Sequence, residues 1–117
     1  MSDNYKYIDL AYLREASKDA AFLRKILSVF ELEYRDLNKD LRRMFDEKDY
    51  EVMAESLHKA KSSVLMTTIP AARKRVIHLE SLVKNGADRQ SQKEALDDFI
   101  VVCDQAMDEI SHAAKNV

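Results

Sequence analysis

The sequence predicts an all-α fold: an antiparallel up-down four-helix bundle with a short extra helix at the N-terminus. Three observations predict it. The 117 residues include one glycine and one proline, whereas a β-rich domain of this length draws on both for its tight turns. Strong helix formers (Ala, Leu, Lys, Glu, Arg) are abundant and β-branched residues are sparse. Apolar residues recur at steps of three and four along four long stretches. The polar segments between those stretches are short, and short connections make successive helices antiparallel neighbours.

Each element has its own punctuation. Asp9 precedes LAYLREA and is suited to cap a short first helix. Ser17 precedes KDAAFLRKIL and is the expected cap of a second, from about Lys18 to Phe45, with an apolar stripe of Phe22, Ile26, Val29, Phe30, Leu37, Leu41 and Phe45. Asp49 is the next expected cap. The third stripe is Tyr50, Met53, Leu57, Ala60 and Val64, and its helix should end near Thr67 or Thr68, because Pro70 disfavours helical geometry in the residue before it. Pro70 suits the first turn of a fourth helix, whose stripe is Ala72, Val76, Leu79 and Val83. Asn85-Gly86 is a stop signal. The last helix begins between Asp88 and Ser91 and follows Leu96, Phe99, Ile100, Cys103, Ala106, Met107 and Ile110. It is expected to fray through HAAKNV.

Composition bounds the function. Hydrophobic residues make up 46% and charged residues 34% of the chain, enough for one core and too apolar for a disordered chain. The length fits one domain. A net charge of −2 gives no electrostatic reason to expect nucleic acid or an anionic membrane as a partner. The single cysteine, Cys103, forms no internal disulfide and belongs to no zinc cluster. The polar start MSDNYKYIDL is unlike a signal peptide, and no apolar run is long enough to span a bilayer. The expected location is the cytoplasm. The start at Met1 and the polar tail point to a free-standing protein, and a closed bundle of this size is expected to be a monomer.

The chemistry concentrates in AESLHKAKSS, residues 54–63. Leu57 belongs to the inward stripe. His58 is one residue on, about 100° around the helix axis, in a row with Ala54, Lys61, Ser62 and Leu65. It should therefore stand on the flank, with small neighbours at Ala54 and Ser62 and a cation one turn away at Lys61. A neutral imidazole offers one nitrogen with a free lone pair. That nitrogen can attack phosphorus without a separate base, while a lysine offsets the charge of the incoming group. A histidine on a helix flank is, by itself, most often ordinary surface.

The longer pattern is more specific. The segment resembles the signature of the histidine-phosphotransfer (HPt) family, approximately A-H-x-L-K-G-S-S followed some twenty residues later by L-E or L-Q. His58 is followed at the third position by Lys61 and at the fifth by Ser63, and Glu80 of Leu79-Glu80 lies twenty-two residues after His58. The opening IDLAYLREASKDAAFLRKILSVFELEYRDL is similar to the family's short helix and long helix, and DEKDYEVMAESLHK to its approach to the histidine. The resemblance implies a phosphorelay intermediate that exchanges a phosphoryl group with the aspartate of response-regulator receiver domains, and that meets a hybrid histidine kinase as a further partner. It implies no ATP-dependent kinase activity and no cofactor or metal of its own, the catalytic magnesium being the receiver's. By matching position, His58 is the phosphoacceptor, Lys61 the phosphate-side cation and Glu80 the group that orients the ring. Ser62 and Ser63 are the small residues beside the site. Ile8, Leu13, Ala54 and Leu65 are the expected docking residues.

The chain departs from the family at two places. Ser62 stands where the family carries glycine, and a second family glycine near Thr68 is missing. These departures give the alternative reading, a non-catalytic helical adaptor that binds a signalling partner through the same face. His78 has no carboxylate or second histidine at metal-ligand spacing on its helix face, and His112 lies in the polar tail, which argues against a metal-binding bundle enzyme. Arg73, Lys74 and Arg75 read as a solvated face, able to help dock an acidic partner. Met44, Met53, Met66 and Met107 read as packing residues, and Cys103 as a small buried hydrophobe.

Overall fold

The computed structural model describes residues 5–117, with Ala16 described by its backbone alone. The fold is all-helical, without strand among the described residues. Among the described residues six helices follow in order: α1 (Leu10–Ala16), α2 (Ala20–Asp46), α3 (Tyr50–Lys61), α4 (Val64–Thr68), α5 (Pro70–Lys84) and α6 (Arg89–Asn116). Contacts run from α2 to α3, α3 to α5, α5 to α6 and α6 back to α2. One core of buried side chains draws on all six of these helices. α6, at about 1.5 Å per residue, accounts for nearly all of the 45 Å long axis.

The caps follow local chemistry. Asp9 caps α1 as expected, its side chain accepting from the Tyr12 amide. The cap of α2 is Asp19 rather than Ser17, accepting from the amides of Ala21 and Phe22. α5 closes as the Asn85-Gly86 signal requires. Gly86 has φ of 67°, Ala87 N–H donates to Leu82 and Gly86 N–H to Val83. This is the paired closure of a left-handed helix stop. α2 ends in the same way at Lys48, whose φ is 57°, with Asp49 N–H on Met44 and Lys48 N–H on Phe45.

Three further expectations need correction. The third helix does not run unbroken to Thr68. It stops at Lys61, and Ser63 caps a new short helix, its hydroxyl accepting from the Met66 amide. Serine side chains favour such caps over helix interiors, so the serine pair breaks the helix where a continuous stripe was read. The phase resets there, leaving Val64 exposed while Leu65 and Met66 are buried. On α2 the inward line is Leu23, Leu27, Phe30, Tyr34, Leu41, Met44 and Phe45. Phe22 and Val29 lie off that line and are exposed. The C-terminal segment does not fray, for α6 continues to Asn116. There the Glu109 carboxylate accepts from the amides of Lys6, Tyr7 and Ile8 at 2.9, 2.8 and 3.0 Å, and the Tyr5 hydroxyl meets His112 Nδ1 at 2.9 Å.

The four methionines read as packing residues are buried, as is Cys103, whose thiol burial pushes up to about 12. No described helix is long and apolar enough to cross a membrane.

Candidate functional site

α3 and α5 pack side by side, and their facing flanks bring His58, Lys61, Glu80 and Lys84 together. Leu57 and Ala60 on α3, with Val76, Leu79 and Val83 on α5, are buried and fix the rotation of both helices. His58 follows Leu57 around the axis, and its side chain is 60% exposed. Glu80 follows Leu79, and its side chain is only 5% exposed. A buried carboxylate requires partners. Lys61 Nζ donates to Oε1 at 2.8 Å. Oε2 receives the imidazole Nδ1 at 3.0 Å and Lys84 Nζ at 3.1 Å.

The electrostatics assign the proton on the ring. The Lys61 hydrogen bond lowers the Glu80 carboxyl, burial opposes it, and Lys84 and His58 lower it further, to about 2. Glu80 is thus ionised at neutral pH and only accepts hydrogen bonds. Nδ1 must then carry the hydrogen in its contact with Oε2. In the neutral ring this leaves the lone pair on Nε2, at the far edge of a largely exposed side chain. The arrangement can present a nucleophilic nitrogen to a group arriving from solvent, with two ammonium groups close behind.

A shallow hollow of about 400 Å³ adjoins the ring, lined by Glu51, Ala54, Glu55, His58, Lys59 and Lys84. Ala54 is half-buried there, and its small side chain leaves the imidazole uncovered. Ser62 is exposed just past the end of α3. Ser63 is half-buried and its hydroxyl is engaged as the α4 cap.

The remaining expected docking residues are not surface. Ile8, Leu13 and Leu65 are buried in the core. The reason is the N-terminal segment: Asp9 N–H donates to Thr68 carbonyl at 2.8 Å, α1 packs on α4, and their apolar side chains turn inward together. Lys84 was missed by the sequence reading. Its signal was present, since it stands four residues after Glu80 on one helix, the spacing of an ion pair. Arg75 of the basic run pairs with Asp98 at 2.8 Å, and Arg73 Nε donates to the Lys61 carbonyl at 3.3 Å, closing the end of α3. Among the described residues, no cluster of three His, Cys, Asp or Glu side chains is arranged to hold a metal. Compared with known proteins, the chain matches no family model, no curated protein and no solved structure.

Proposed function

We propose that this protein is a phosphorelay intermediate of the histidine-phosphotransfer type, carrying the phosphoryl group on His58 Nε2. In this reading α2, α3, α5 and α6 form an antiparallel up-down bundle, a rigid rod that holds the imidazole on its flank. The observation that carries the reading is the division of the ring between two environments. Nδ1–H is anchored on a buried, ionised Glu80, while the ring as a whole stays 60% exposed.

The chemistry follows. A receiver domain bearing an aspartyl phosphate docks over the hollow beside His58. The Nε2 lone pair attacks phosphorus in line, the N–P bond forms, and the P–O bond breaks with its electron pair remaining on the aspartate carboxylate. The Nδ1 proton stays in place, so the phosphorylated ring is cationic and faces the Glu80 anion. The lysines flanking Glu80 put positive charge near the oxygens of the transferring group, where charge stabilisation is most effective. Most of the protein's contribution is positioning. The donor's magnesium stays with the receiver, and the chain needs neither ATP nor a cofactor. Ser62, small and exposed, admits the receiver where the family has glycine.

The test is incubation with a phosphorylated receiver domain. Acid-labile label should appear on the wild type and be absent from His58→Gln. Label that persists in that variant removes the assignment of His58. A receiver that binds without transferring label identifies the chain as an adaptor.

A further inference from the structure

We infer that Lys84, rather than Lys61, is the cation that touches the oxygens of the incoming phosphoryl group, and that Lys61 is a positioning residue acting through Glu80. This rests on the phosphoacceptor reading of His58.

The two lysines hold different oxygens of one carboxylate. Lys61 reaches from α3 to Oε1, the oxygen that the imidazole does not use. Its side chain is 27% exposed, its carbonyl is bound by Arg73, and it does not line the hollow beside the ring. Lys84 meets Oε2, the oxygen shared with Nδ1–H. Its side chain is 53% exposed, and it lines the hollow together with His58. Of the two lysines that hold Glu80, an anion entering from solvent therefore meets Lys84 before Lys61.

The consequences of moving each lysine also differ. Glu80 with its two ammonium groups carries a net positive charge, and on the hollow itself Lys59 and Lys84 stand against Glu51 and Glu55, so the positive excess that favours an anion lies at the Glu80 end, where Lys84 is. If Lys84 Nζ turns to the phosphoryl oxygens, Oε2 passes wholly to Nδ1–H and Lys61 still holds Oε1. The ring keeps its orientation and Glu80 keeps its charge. If Lys61 turned instead, Glu80 would lose its closest donor while buried, at the moment when the ring needs it most. Lys84 is thus free to leave at little cost, and Lys61 is not.

Phosphoramidate, a small donor, tests this without a receiver. Nε2 attacks its phosphorus, the N–P bond to the ring forms, and the donor's P–N bond breaks with loss of ammonia. The rate of Nε2-phosphohistidine formation is followed by ³¹P NMR, and the ring nitrogens of His58 by ¹⁵N NMR. A charge contact made in the transition state by a half-exposed side chain is taken as worth about tenfold in rate, which is about 1.4 kcal/mol. Lys84→Gln should slow formation by that factor and leave the His58 ¹⁵N shifts in place, with Lys84→Arg restoring most of the rate. Lys61→Gln should displace the ¹⁵N shifts. Lys84→Gln phosphorylated at the wild-type rate overturns the inference, as does an equal loss in Lys59→Gln, which would reduce Lys84 to general positive field. A wild type that takes no phosphoryl group from phosphoramidate at His58 also overturns it. If phosphoramidate gives the expected pattern and no receiver transfers, the role of Lys84 stands and the relay reading fails.

Discussion

Glu80 is the residue on which the site depends, because it is almost fully buried and meets three donors from two helices. Its carboxyl is held at about 2 against an ordinary 4.5. A folded-state value below the unfolded one means that stability is gained above the unfolded range and lost on acidification. Glu80's contribution is therefore complete above pH of about 4.5 and disappears as the pH falls toward about 2. Urea unfolding followed across that window should show a steeper acid loss in the wild type than in Glu80→Gln. Parallel curves would show that the three contacts do not act on its ionisation. Glu80→Gln should also release the tautomer, since an amide can present either an acceptor or a donor to Nδ1. The sequence placed His58, Lys61 and Glu80 at the spacing of the signature that the segment resembles, and the structure brings these three together. Burial of Glu80 beside Leu79 was not legible, because a glutamate after a core leucine is ordinarily solvated and only the packing of α5 on α3 encloses it.

At the scale of elements, two helix ends with one geometry carry different residues. Gly86 and Lys48 both have the left-handed backbone, which disfavours a side chain by about 1–2 kcal/mol. A Cβ at Gly86 would meet nothing within 4 Å, so Gly86→Ala should cost about 1 kcal/mol from conformation alone. Lys48→Gly should stabilise by about 0.5–1 kcal/mol, the relief being reduced by the greater freedom of unfolded glycine. Chemical denaturation of the two variants checks both signs. Asn85-Gly86 was readable as a stop because glycine advertises this backbone, and Lys48 gave no such notice. The break at Ser62–Ser63 was hidden for a related reason. Met53, Leu57, Ala60 and Val64 keep helical spacing across it, and periodicity does not register a serine that leaves the helix to cap the next one. The stripe of α2 was misread at Phe22 and Val29 because apolar residues there surround more than one face, so spacing alone did not choose which face turns inward.

At the scale of the whole molecule, the N-terminal segment is tied to the last helix. Glu109 gathers three successive backbone amides, and Asp9 N–H reaches Thr68. Hydrogen bonds to a charged group at a partly exposed site contribute about 1–2 kcal/mol. Glu109→Ala should lower unfolding stability by that order, and hydrogen exchange should show the amides of residues 6–8 losing protection. Retained protection there would mean that the apolar contacts of Ile8 and Leu10 hold the segment unaided. The all-helical class was legible from composition and period because both are local. This tie was not, since it joins residues more than a hundred positions apart. It has a further consequence. Tyr5 rests against His112, so the first described residue and the end of α6 are neighbours. Chain order should thus be separable from architecture: a peptide joining residue 117 to residue 5, with the polypeptide reopened at the Glu47–Asp49 turn, is expected to re-thread the same helices and to leave the imidazole and its carboxylate on an uninterrupted length of chain, which helical circular dichroism and cooperative unfolding of the permuted protein would check.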